Sequence, residues 1–339
     1  MKRTSVAAAG GLMTLGLASF LLPRDGVSFG PGEGTKLTKT FEGSLEFALD
    51  DISVMVNGEE QDIPMDEEPS GTGTYSVVVT DHFKSMSGGR PTELLRSFVE
   101  FSGAMESSDG EFSEEGSLDE IEGSTIKFAW DEDEGAYEVT FEEGEGDDEV
   151  LAAMSPDMDF RVLLPRGDVS EGDEWDVDGD KLFNILIPGL DMKNAAESGM
   201  EIDGESIPQE LLDAIDDFLS GVSATCTYKG TSEEDGAEVG EIAFNGEISG
   251  ALDIDPSAMG EEMGDMGGEA EINLEVDMTM EGTLLWNMSA GHFHSFVLEG
   301  EGTIDMHMVM SIPDFDMEFE NNASMSIGIE QSASAETAE

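Results

Sequence analysis

The chain has 339 residues, and 78 Asp and Glu against 14 Lys and Arg give it a formal net charge of -64. A surface this negative repels phosphate backbones and anionic headgroups, which excludes nucleic acid and an anionic membrane surface as partners. The single cysteine, Cys226, excludes an internal disulfide, so stability must come from a hydrophobic core that a chain of this length can build.

The chain opens with Met1-Lys2-Arg3-Thr4, an apolar run from Val6 to Leu22 and the polar break Pro23-Arg24-Asp25-Gly26. A basic start, an apolar stretch and a polar break read as a secretory signal over residues 1–26, cleaved between Ala18 and Gly30. This predicts an exported protein, periplasmic or extracellular. In Leu17-Ala18-Ser19-Phe20 a phenylalanine stands where a lipoprotein box needs cysteine, so no lipid anchor is expected.

Beyond the signal, apolar side chains recur at every second residue in Lys36–Leu49, Thr74–His82, Ser124–Trp130 and Tyr137–Phe141, the period of half-buried strands. Ser87-Gly88-Gly89-Arg90-Pro91 reads as a turn into Thr92–Phe101, taken as the return strand of a hairpin. Short helices are expected at 147–154 and at 208–219. The second begins with Pro208 and carries Leu211, Leu212, Ile215, Phe218 and Leu219 on one stripe. The acidic, glycine-rich segments 57–72, 106–123 and 255–268 read as loops.

Residues 224–228 alternate around Cys226, which is expected to be a buried strand residue. The C-terminal third reads as a meander of 270–280, 282–288, 292–299, 302–310 and 316–329. Turns are expected at Ser289-Ala290-Gly291, Gly300-Glu301-Gly302 and Ile312-Pro313-Asp314. The expected fold is mainly β, a curved antiparallel sheet or open half-barrel with one or two short covering helices. It forms one domain over 27–330, with a division into two lobes near 150–165 left open. Residues 331–339 are expected to be a disordered tail.

Motifs that carry chemistry are scarce. No HExxH, GxSxG or phosphate-binding glycine loop occurs, and carboxylates are too numerous for any two to be singled out as general acid and base, so no enzyme is expected. Asp173, Asp176, Asp178 and Asp180 are dense enough for a weak Ca²⁺ site. An EF-hand register fails, however, because it would place Ile185 where a bidentate Glu is needed. His292, His294 and His307 form a conceivable metal cluster on neighbouring strands, and Met306, Met308 and Met310 have spacings that Cu(I) could use.

The run Leu164-Pro165-Arg166-Gly167-Asp168-Val169-Ser170-Glu171-Gly172-Asp173-Glu174-Trp175 resembles the LP-x-G-x-V-x-x-GD-x-W segment of uncharacterised exported bacterial β proteins. Residues 224–244 and 282–300 fit the same pattern of strand, turn and returning strand. Chains of this kind are similar in outline to periplasmic lipoprotein carriers of the LolA type, which implies an apolar cavity and carries no catalytic residue across. The reading that results is a non-enzymatic acidic β protein binding an apolar ligand. Met278, Met280, Leu284, Trp286, Phe296, Met308 and Leu211 are the candidate lining. The alternative is a structural envelope protein that binds divalent cations, with no other cofactor.

Overall fold

The computed structural model describes residues 26–338, except 62–68, 109–112, 118–120, 145, 147, 180–181, 187, 190–200, 203–204, 207–217, 219–221, 255–268 and 313–316. The expected signal, the acidic loop at 255–268 and all of the 208–219 helix but Phe218 lie outside the described residues.

Seven strands come first: β1 (Lys36–Val56), β2 (Glu59–Gln61), β3 (Ser70–Ser87), β4 (Arg90–Ser107), β5 (Ser113–Ser117), β6 (Thr125–Asp131) and β7 (Ala136–Glu143). A connecting region follows, with helix α1 (Asp148–Ala152), a single 3-10 turn at Arg161–Leu163, strand β8 (Glu174–Val177), helix α2 (Phe183–Leu186) and a separate hairpin of β9 (Glu201–Ile202) and β10 (Glu205–Ser206). The chain closes with β11 (Ser223–Glu234), β12 (Ala237–Ile254), β13 (Glu269–Asn287), β14 (His292–Ile312) and β15 (Met317–Thr337).

The main sheet has 13 strands in the order β7-β6-β4-β3-β1-β15-β14-β13-β12-β11-β8, with β2 on β1 and β5 on β4. Every pairing is antiparallel, and β7 and β8 stand at opposite edges, so the sheet is open. Two meanders are joined at one seam, where β1 pairs with β15 from Leu37↔Thr337 to Val56↔Phe319.

Local chemistry explains the hairpins. Gly88 and Gly89, at φ 60° and 77°, turn β3 into β4, and Asp235 and Gly236, at 49° and 81°, turn β11 into β12. Both central residues of such a tight turn need positive φ, which glycine adopts without steric cost. The second hairpin is the expected arrangement of residues 224–244.

Four expectations are corrected. Gly282 does not divide two strands, and Gly300-Glu301-Gly302 is not a turn. β13 and β14 run through both, because Gly282, Gly300 and Gly302 face Leu298, Met280 and Met278 across the ladder and leave room for them. Residues 331–337 are not a disordered tail. They finish β15 between β1 and β14, where Gln331, Ala333 and Ala335 are buried. The segments read as loops at 57–72 and 106–123 contain β2, the start of β3 and β5.

One face of the sheet is apolar and the other polar, as period two requires. At the near end, where the β3–β4 and β13–β14 turns lie, the apolar face is covered by the connecting region and by residues 26–35. Leu37, Phe41, Phe83, Leu94, Phe128, Trp286, Phe293 and Phe296 are fully buried there. Trp286 donates its indole N–H to the Ser28 carbonyl at 3.3 Å, and Phe160 stacks against Phe296 with centroids 4.2 Å apart.

Candidate functional site

Within the near end sits a buried group of four charges. Lys39 Nζ lies 2.7 Å from Asp81 Oδ2 and 2.8 Å from Asp159 Oδ1, while Arg96 donates to both Asp81 oxygens at 2.7 and 2.9 Å. Arg96 also donates to the carbonyls of Ser155 and Pro156 at 2.8 and 3.1 Å. Three of these residues stand on β1, β3 and β4, and Asp159 belongs to the connecting region, so the group clamps that region onto the sheet. Burial pushes the Asp81 carboxyl up, but the adjacent Arg96 and Lys39 charges outweigh it and hold the group at about 2. Asp159 is raised by burial, which outweighs the Lys39 charge beside it.

The clamp positions α2, whose start is anchored by the buried Leu182 and Ile185. Leu186 at its end reaches past the covered region onto the middle of the sheet. There it meets a cleft of about 520 Å³ also lined by Leu45, Gly73, Tyr75, Gly103, Met105, Ile329 and Gln331. A volume of this size suits a small apolar or amphiphilic molecule. Leu45 and Met105 are 40% and 42% exposed, an unusual state for large apolar residues on the inner face.

The floor of the cleft is a checkerboard. Across β4, β3, β1, β15 and β14 one row reads Gly103, Tyr75, Gly43, Gln331, Leu298, and the next reads Met105, Gly73, Leu45, Ile329, Gly300. Large side chains alternate with glycine from β4 to β1, and β15 breaks the pattern with Gln331 and Ile329 side by side. A Cβ on Gly43 would collide with the Tyr75 ring, so the tyrosine lies flat across β1 and brings its hydroxyl toward Gln331 on the far side. Gln331 is 4% exposed. Its Nε2 and Oε1, and the Tyr75 Oη, are buried without a well-formed hydrogen bond among the described residues. Burial pushes the Tyr75 hydroxyl up to about 12, with the neighbouring Gln331 amide pulling the other way.

Broader concavities of about 960 and 860 Å³ lie along the polar face. Their walls are carboxylates and hydroxyls such as Glu42, Glu299 and Glu330 in one, and Glu46, Asp277 and Glu301 in the other. Glu281, Glu299 and Glu330 stand directly opposite one another on three strands, yet among the described residues no three His, Cys, Asp or Glu are grouped to hold a metal.

The residues singled out from the sequence fall elsewhere. Leu284, Trp286 and Phe296 are fully buried and Met278 and Met280 nearly so, all five within the packed core, whereas Met308 is half-buried further along β14. Leu211 lies outside the described residues. Asp173 accepts the Ser170 backbone N–H at 2.9 Å, Asp178 lies 3.8 Å from Arg166, Asp176 sits in β8, and Asp180 is outside the described residues.

The histidine cluster is a correction. Because β14 is continuous, His294 and His307 share one strand and stand thirteen residues, about 40 Å, apart. His292 is buried, donating Nδ1–H to the Phe293 carbonyl at 2.6 Å, and His307 donates to Asn322 Oδ1 at 2.6 Å. Cys226 is a fully buried strand residue, and burial pushes its thiol up to about 12, far from a reactive thiolate.

The sequence reasoning missed Leu45, Tyr75, Met105, Ile329 and Gln331. Period two put Leu45 and Tyr75 on apolar phases, but the cross-strand register that joins them through Gly43 and Gly73 is not visible in any one segment.

No protein-family model and no curated protein sequence matches this chain. Among solved structures, an outer membrane channel from Pseudomonas putida aligns over 91% of this chain and 97% of its own, at 7% identity and a TM-score of 0.20. At that score neither a fold nor a role passes from one to the other. No helix among the described residues is long and apolar enough to cross a membrane.

Proposed function

We propose that the protein is an exported, non-enzymatic binding protein that holds an apolar ligand in the cleft beneath Leu186. The observation that carries this reading is the exposure of Leu45 and Met105 on an otherwise apolar inner face, inside a concavity of about 520 Å³. Each large apolar side chain transferred from water into contact with a ligand contributes roughly 1.5–3 kcal/mol, which favours occupancy. The glycine rows leave depth for a ligand to lie against the sheet, and the clamp of Lys39, Asp81, Arg96 and Asp159 holds the rim in place.

The test is binding of an apolar reporter dye, Nile red, to the purified protein. Micromolar binding by the wild type, weakened about tenfold in Leu45→Glu and Met105→Glu with unchanged melting temperatures, is the expected result. Both positions are already partly exposed, so folding should survive the charge. A wild type that leaves the dye in water sinks the proposal.

A further inference from the structure

Resting on that cleft reading, we infer that the ligand is an uncharged amphiphile, an apolar chain whose head carries a hydroxyl, ester or amide, and that Tyr75 and Gln331 recognise the head. Gln331 is 4% exposed on the floor of the cleft, and both its donor and its acceptor lack a well-formed hydrogen bond among the described residues. The Tyr75 hydroxyl beside it is the one side-chain group among the described residues placed to bond the amide, and a single hydroxyl cannot serve both the amide N–H₂ and its oxygen. Buried polar groups are nearly always paired, and an orphaned pair costs stability that apolar side chains would not. The cost is offset when a ligand brings the missing partners.

Together an amide and a hydroxyl offer donors and acceptors at one point, which matches a head able to both give and accept hydrogen bonds. Charge selects among such heads. Among the described residues the cleft lining contains no Lys or Arg to neutralise a carboxylate or phosphate, and Glu330 is its one carboxylate. With a net charge of -64 around it, an anionic head is repelled. A quaternary ammonium head is attracted at long range but has no N–H for Gln331 Oε1 and no lone pair for Nε2, so it leaves the pair unsatisfied.

Displacement of Nile red separates these cases. The competitors share a twelve-carbon chain: monolaurin as the neutral head, dodecanoate as the anion and dodecyltrimethylammonium as the cation, each below its micellar concentration at pH 8. Monolaurin is expected to displace the dye at a concentration at least tenfold below the other two. In Gln331→Met the preference for monolaurin over dodecanoate, taken as the ratio of the two displacement constants in the same protein so that any change in dye affinity cancels, should shrink about tenfold, the loss expected when one or two hydrogen bonds are removed.

Equal displacement by all three heads, tightest binding of the cation or anion, or a Gln331→Met protein that keeps the preference, overturns the head-group inference and leaves the cleft intact. Failure of Nile red to bind the wild type removes the cleft reading itself.

Discussion

The near and middle parts of the sheet are built from the same strands but differ in charge: the buried polar groups of the near end stand in ion pairs, whereas those of the middle are neutral. Near the β3–β4 turn, Asp81 has every oxygen engaged by Lys39 or Arg96, and aromatic rings close over the group. A few residues further along the sheet, the half-buried Tyr75 and the buried Gln331 have only each other as neighbouring side-chain partners among the described residues. The difference lies in what covers the face. At the near end the connecting region supplies Asp159 and the carbonyls of Ser155 and Pro156, whereas over the middle Leu186 supplies only methyl groups. Paired charges lock a layer in place, and neutral groups with bonding capacity to spare leave a place for something else.

The largest effect expected from breaking this contrast is at Arg96. Arg96→Met strips Asp81 of its bidentate partner and frees two carbonyls, and should destabilise the fold by about 3–5 kcal/mol in chemical denaturation. A loss under 1 kcal/mol would show that the clamp is dispensable.

Truncation sharpens the comparison next. Phe293→Ala, in the covered core, should cost about 3–5 kcal/mol, whereas Ile327→Ala, half-buried further along the face, should cost about 1–2 because little packing surrounds it. Similar losses at both sites would mean that the two regions are packed alike.

Acid should act through the clamp. Asp81 is lowered to about 2 in the folded protein, so its contribution is present above its ordinary value near 3.8 and is lost as pH falls through 2. The shift corresponds to roughly 2 kcal/mol. Asp159, raised in the fold, works in the opposite direction: protonation on acidification relieves its burial penalty. The carboxyl carbons followed by NMR should titrate with Asp81 well below and Asp159 above the ordinary range. Coincident titration of the two would refute the geometry of the clamp.

The smallest effect expected is a gain. Gln331→Met removes an amide that Tyr75 alone cannot satisfy from a buried position and should raise stability by about 1 kcal/mol in ligand-free protein. Destabilisation would show that the amide already has a partner.

The alternation of Lys36–Leu49, Thr74–His82 and Tyr137–Phe141 was enough to announce an antiparallel sheet, because a half-buried strand writes its period directly into local sequence. Strand ends were less legible. Gly300-Glu301-Gly302 has the composition of a turn, and only the neighbouring Met278 and Met280 show why glycine is needed within a strand. The polar run from Gln331 looked unstructured for a related reason: two flanking strands, one from the start of the chain, provide its backbone partners. The cleft was the least legible part. Its residues come from five segments, and buried Met278, Leu284 and Trp286 carry the same apolar signature as exposed Leu45 and Met105.

The seam between β1 and β15 has a consequence for how the molecule comes into being. The last strand in the chain completes the pairing of the first, so contacts spanning most of the sequence form only after β15 has been synthesised. Until then β1 and β14 present bare edges open to any extended partner. Assembly is therefore expected to be slow and late, gated by the final strand, and a chain shortened before Met317 would have no ladder between its two half-sheets, only side-chain packing and the few contacts of residues 26–35 and the connecting region.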